Sequence, residues 1–182
     1  MFALPRGARD LLNIFSTSFF SVHRKGKEKV ERGAILEGAR QWFEQDKEGN
    51  LDASLRRVLR RITDEVIGTR RARSFLLPRE LSDHPVIQKL FDLRVLHLVL
   101  RGYADKDKPG VRHNIYSLDY GTYVDLLNTS KKPDLGFVIH QSEPEGEFIV
   151  PFDDKRSIRR IILTERILQE RSDEVEIKNH PD

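Results

Sequence analysis

The sequence predicts an α+β fold that is mainly helical, and three observations predict it. The stretch LRVLHLVLRGYADKDKPGVRHNIYSLDYGTYVDLL, Leu93 to Leu127, sets two apolar runs around a charged loop ending in Pro109 and Gly110. That is the pattern of a β-hairpin with a long basic tip. Upstream, apolar residues recur at helical spacing in several separate segments. Between helices and hairpin, the short apolar run Arg73 to Leu77 is halted by Pro78, which suits a small edge strand. Helix, strand, helix and hairpin in that order is what a winged-helix domain requires, a helix-turn-helix whose β-hairpin forms the wing.

Leu11, Leu12, Phe15, Phe19 and Phe20 repeat at helical spacing and predict a first helix from about Ala8 to about His23. Asp10 then falls in its first turn, where the helix dipole favours an acid. A polar segment, HRKGKEK, separates it from a second amphipathic helix marked by Val30, Ala34, Ile35, Ala39, Trp42 and Phe43 and ending near Gly49, with Trp42 in the core. Asp52 is placed to cap a third helix. Its Leu55, Val58, Leu59, Ile62, Val66 and Ile67 form one stripe, while Arg56, Arg57, Arg60 and Arg61 lie largely away from it, and Gly68 sits near its end. After the edge strand, Ser82 or Asp83 caps a further helix with Pro85 in its first turn and Val86, Ile87, Leu90 and Phe91 facing inward. This helix takes the recognition position.

In the hairpin, Leu96, Leu98 and Leu100 alternate with His97, Val99 and Arg101, and Ile115, Tyr116 and Leu118 belong to the second strand. The loop Ala104 to Arg112 is the wing. Asp119 is placed to cap a short helix carrying Tyr123, Leu126 and Leu127, and the break at Lys131, Lys132 and Pro133 marks a boundary. Beyond it, Phe148 to Val150 reads as a strand. Ile158, Ile161, Ile162 and Leu168 predict a last helix, surrounded by Arg156, Arg159, Arg160 and Arg166. The expected division is 1–50, a helical segment, 51–132, the winged helix, and 133–182, a strand-helix extension.

Of the 182 residues, 38% are hydrophobic and 34% charged, enough apolar content for one core with much charge left on exposed faces. Zero cysteines exclude disulfides and thiolate metal sites, and with no signal sequence at the start the chain is expected in the cytoplasm. Arg6, Arg9 and Asp10 interrupt the opening apolar residues too often for a membrane span. A net charge of +3 means little alone, but its distribution is uneven. Arg56, Arg57, Arg60, Arg61, Arg70, Arg71 and Arg73 crowd one short span, whereas Glu143, Glu145 and Glu147 make the later part acidic.

The search for catalytic groups returns negatives. There is no GxxxxGK[ST] loop, no GxSxG elbow, and the six histidines show neither HExxH nor a paired helical spacing. No enzyme activity, cofactor or metal is therefore expected of this chain. The arginine face of the third helix carries two readings, a phosphate-binding surface or a solvated helix face. Arg94, Arg101, Lys106, Lys108 and Arg112 favour the first because they cluster on the hairpin and its tip, joined by Arg56 and Arg60 and by His113 at the strand entrance. Asp105 and Asp107 dilute that charge, which keeps a protein partner in play. Tyr103 and Tyr116 read as packing residues, and His97 as a core or rim histidine.

RGARDLLNIF resembles the helix start that follows the lid of AAA-type P-loop ATPases, where a Gly-x-Arg or Gly-x-x-Arg pattern supplies the sensor-2 arginine. Arg9 matches that position, with Arg6 as second choice. The segments LHLVLRGYADKDKPGVRHNIYSLDYGTYVDLLN and FIVPFDDKRSIRRIIL resemble the end of replication-initiator-like and related bacterial P-loop ATPases. The resemblance implies a lid-like segment over 1–50 and a C-terminal ATPase part without its nucleotide-binding core, since both Walker motifs are missing from the sequence. The expected partner is duplex DNA, gripped mainly through phosphates. The alternative is a docking or regulatory role without DNA, in which the apolar surface around Phe15, Phe19 and Phe20 meets an ATPase core or another subunit. Sequence preference and oligomeric state are open.

Overall fold

The computed structural model describes residues 6–104, 109–128 and 157–169. Helix α1 (Arg6–Arg24) packs on α2 (Arg32–Asp46), running the opposite way, because Asp10 reaches Trp42 near the end of α2 while Ser18 meets Gly38 at its middle. The two backbones approach closely there. A Cβ at Gly38 would lie 2.3 Å from Ser18 Oγ and 3.0 Å from the Ile14 carbonyl oxygen, so only glycine fits. The face of α1 that turns inward is Asp10, Ile14, Ser18 and Val22, one residue in four. The stripe of Leu11, Leu12, Phe15, Phe19 and Phe20 faces outward. Asp10 is also not in the first turn, since the helix starts at Arg6.

The third helix follows its sequence closely. Asp52 accepts a hydrogen bond from Leu55 N at 2.8 Å and opens α3 (Ala53–Thr63), which buries Leu55, Val58, Leu59 and Ile62. A wider π-type turn, Asp64–Thr69, carries the chain on and buries Val66 and Ile67. Arg71, at φ 59°, ends it in place of the expected Gly68. Strand β1 (Ser74–Pro78) follows, then the single turn α4 (Arg79–Ser82) and α5 (Pro85–Asp92). Neither Ser82 nor Asp83 caps α5. Ser82 belongs to α4, and His84 Nδ1 accepts from Val86 N at 3.3 Å, with Pro85 in the first helical turn.

The far end of α5 closes in a Schellman arrangement, with Val95 N donating to Leu90 O at 3.1 Å and Arg94 N to Phe91 O at 2.9 Å. Arg94 holds the left-handed position, φ 59°, that usually goes to glycine. Strands β2 (Leu96–Ala104) and β3 (Arg112–Leu118) then form an antiparallel sheet with β1 in the order β1-β3-β2. Leu76 faces Ile115 across β1 and β3, and Leu98 faces Tyr116 across β2 and β3. The outer strand β2 slips register twice, between Leu98 and Leu100 and again before Tyr103, an irregularity that blunts an open edge.

The other edge is covered. Leu76 N donates to Ile161 O at 2.8 Å and Leu163 N to Leu76 O at 2.9 Å, so residues 161–163 run parallel to β1. The helix expected from Ile158 to Leu168 is therefore replaced by two short 3₁₀ turns, Ile158–Arg160 and Glu165–Ile167, around an extended stretch. Burial alternates along that stretch, with Ile161 and Leu163 inside and Ile162 out, as a strand requires. After β3, Asp119 accepts from Gly121 N at 3.1 Å and starts a 3₁₀ helix, Tyr120–Asn128. A continuous apolar core joins Ile14 and Ala39 to Leu55, Phe75, Ile87, Leu96 and Ile161, running unbroken across position 50/51. Lys131 to Pro133, Phe148 to Val150 and Arg156 lie outside the described residues. Among those described, no helix is long and apolar enough to cross a membrane.

Candidate functional site

The arginines and histidines that the sequence singles out fall into three groups. Arg101 on β2, Arg112 at the start of β3, and Arg56 and Arg60 on the outer face of α3 are exposed. Arg112 Nη1 donates to Gly102 O at 3.0 Å, and Arg56 Nη2 to Glu48 O at 3.2 Å, which steadies both guanidinium groups while leaving N–H groups toward solvent. Arg9 is exposed on α1. Lys106 and Lys108 lie outside the described residues, as does the side chain of Arg6.

Two residues of the expected surface turn inward. His113 is 3% exposed, opposite Pro78 and Tyr103 in the sheet, where a phosphate cannot reach it, and its Nδ1 has no hydrogen-bond partner among the described residues. Arg94 pairs with Asp46 and stands 3.7 Å from Asp10. Its charge is thus committed within the protein. Tyr116 is buried against Phe75, and the half-buried Tyr103 accepts a hydrogen bond from Arg159 Nε at 3.3 Å.

Arg94 belongs to an ionic cluster that sequence reading missed, and whose centre is Lys47, just past α2 and 0% exposed. The Lys47 ammonium donates to Asp10 Oδ2 at 3.0 Å and to the Arg94 carbonyl at 3.1 Å, and pairs with Asp119 Oδ1 at 2.9 Å. Trp42 Nε1 completes Asp10 at 3.1 Å, and His97 Nε2 lies 3.0 Å from Asp119 Oδ1. Burial pushes the Asp119 carboxyl up, but the His97 hydrogen bond and the Lys47 charge outweigh it and hold it below its ordinary value. Burial likewise raises the Tyr123 phenol beside it, against the pull of Arg73.

Asp10, His97 and Asp119 together offer three ligand atoms within 4.8 Å of one another, a set that suits a metal ion. Lys47 already stands between the two carboxylates as their cation, so a metal would have to displace it. In this form the cluster is a buried tie among α1, α2, the start of β2 and the turn after β3. Nothing in the sequence signals it, since Lys47 sits in a polar run, Asp-Lys-Glu-Gly-Asn, at the expected end of the second helix.

The remaining feature is the outer face of α1. Leu11, at 68%, and Phe20, at 61%, are the most exposed of five large apolar side chains that include Leu12, Phe15 and Phe19. Phe19 stacks on Phe15 at 6.3 Å between ring centres and on His23 at 6.2 Å, forming an aromatic ridge along the helix. Single exposed apolar residues are ordinary on a protein surface, whereas a contiguous row of five is not, because apolar area left in water costs free energy. No protein-family model matches the sequence, and neither curated proteins nor solved structures yield a match to it.

Proposed function

We propose that this chain is a winged-helix module that binds duplex DNA, mainly through backbone phosphates, and works as the C-terminal part of a P-loop ATPase. The observation that carries the reading is the element order α3, β1, α4, α5, β2, β3 with strand order β1-β3-β2 and exposed Arg101 and Arg112 on the paired hairpin strands. In such a module α5 takes the recognition position, where Gln88 and Lys89 are exposed, and the hairpin lies along the phosphates. Lys106 and Lys108 at the tip add charge in this reading, and Arg9 on α1 takes the nucleotide-sensing role.

Cations that neutralise phosphates release counterions, so affinity must fall as salt rises. Four hairpin cations correspond to a slope of log K against log salt of roughly −3.6. Fluorescence anisotropy with a short labelled duplex, at low and physiological salt, measures it. Substituting Arg101 and Arg112 by alanine is expected to weaken binding uniformly across sequences and to flatten the slope by about 2. A flat salt dependence, or a double variant that binds as well as the parent, overturns the proposal.

The exposed row on α1 favours a second role in the same protein, docking of another polypeptide. Five large apolar side chains do not suit a polyanion, and the row lies on a helix outside the α3–β3 unit.

A further inference from the structure

We infer that the outer face of α1 docks into an apolar groove of a partner protein whose two ends carry carboxylates. The inference rests on the docking reading above and adds the chemistry of the partner. Residues 11–22, LLNIFSTSFFSV, contain no charged side chain, so the apolar row is uninterrupted. Cations bound it at both ends: Arg9 is exposed at the start, and Arg24, Lys25 and Lys27 are exposed at the finish. Few acids offset them: Asp10 is buried on Lys47, and Glu28 is the one exposed acid between Arg9 and Lys29 along the sequence. On α2, Glu37 lies near enough to Lys25 to feel its charge but is already bonded to Arg40, leaving Arg9 and Arg24 as the end cations that matter. Arg9 and Arg24 are fifteen residues apart, which on a helix is about 22 Å.

This pattern discriminates among occupants. A second copy of the chain is disfavoured, since antiparallel pairing of two α1 faces sets Arg9 against Arg24 of the mate, and parallel pairing sets like against like. A lipid surface is also a poorer fit. Helices that lie in an interface carry cations along both flanks of the apolar stripe, whereas here the flanking Asn13, Ser16 and Thr17 are uncharged. The ridge is also held in place, through the close Ser18–Gly38 contact and the Asp10–Lys47 pair on its other side. A fixed aromatic ridge with cations only at its ends matches a groove of the helix-binding kind, with acids at its mouth.

Three synthetic amphipathic helical peptides with one shared Leu/Phe stripe and Glu, Gln or Lys at both ends test this, titrated into the full chain by calorimetry. The Glu-ended peptide is expected to bind about tenfold tighter than the Lys-ended one, the size two exposed ion pairs supply. The Arg9→Glu/Arg24→Glu variant should reverse that order. Phe15→Ser/Phe19→Ser should abolish binding of all three while keeping the parent melting temperature, and Arg101→Ala/Arg112→Ala should bind the Glu-ended peptide unchanged. Binding that ignores end charge overturns the inference but leaves docking standing. No binding by any peptide overturns both, as does association only with a second copy or only with phosphatidylserine vesicles that Phe15→Ser/Phe19→Ser abolishes.

Discussion

Replacing Lys47 by methionine removes the cation of the buried cluster and keeps most of the side-chain volume, so the loss is electrostatic rather than a cavity. Two carboxylates within 3.0 Å of the ammonium and one carbonyl at 3.1 Å lose their donor together. Breaking a buried ion pair from one side typically costs about 3–5 kcal/mol. The lower end applies here because each acid keeps a partner, Trp42 and Arg94 for Asp10 and His97 for Asp119. A loss of roughly 3 kcal/mol in a chain of this size corresponds to a melting point lower by about 6–12 °C. Urea unfolding followed by circular dichroism should show a reduced midpoint with an unchanged slope. The triple variant Lys47→Met/Asp10→Asn/Asp119→Asn should regain part of the loss, since it leaves no uncompensated charge. A Lys47→Met loss below about 1 kcal/mol, the scale of a surface pair, would refute the reasoning.

Three further outcomes follow from the same geometry. Asp119 is held below its ordinary pKa in the fold, so the stability it lends is present above roughly pH 4 and is lost as pH falls through the folded value. Asp119→Asn should therefore flatten the acid limb of a stability–pH curve measured by chemical unfolding. Gly38→Ala should gain about 1 kcal/mol of helix propensity but lose more, a net cost of about 1–3 kcal/mol, to the contact of its Cβ with Ser18 Oγ at 2.3 Å. Adding Ser18→Ala should restore only part, because the Ile14 carbonyl remains 3.0 Å away; a stabilised Gly38→Ala variant refutes the close crossing. Leu163→Pro removes the N–H that bonds Leu76 O, and hydrogen exchange should then speed up at the Leu76 amide while amides bonded between β1 and β3 stay protected.

The sequence was legible where a local signal and the tertiary requirement coincide. Asp52 caps a helix whose apolar stripe is also the core stripe, and Pro78 ends a strand that lies at the side of the sheet. It was misleading where periodicity is shared by two solutions. Ile158, Ile161, Ile162 and Leu168 fit a helical face, yet Ile161-Ile162-Leu163 also fits a strand with Ile162 outward. The open edge of β1 decides between them, because Leu76 offers an N–H and a carbonyl that a helix could not satisfy. In α1, periodicity groups the residues by face but cannot say which face meets the protein. Close approach of α2 selects the face carrying Ser18 and Asp10 over the one carrying three phenylalanines.

Charge was the least legible quantity, for a physical reason. Reading cations along a sequence treats each as available to a ligand, whereas burial can commit them to partners far away in the chain. Arg94 reads as a surface charge and Lys47 gives no signal at all in its polar run, yet both are held by acids from α1, α2 or the turn after β3. Their commitment alters what the hairpin can offer a polyanion. With Arg94 paired and His113 enclosed, the exposed cations on the described part of β2 and β3 reduce to Arg101 and Arg112, both toward the tip. Phosphate affinity in the proposed DNA complex must then depend on Arg101 and Arg112 more than on the root of the strands. Arg94→Ala should accordingly lower stability while leaving the salt slope of DNA binding unchanged, and a flattened slope in that variant would show that its guanidinium leaves Asp46 to reach the nucleic acid.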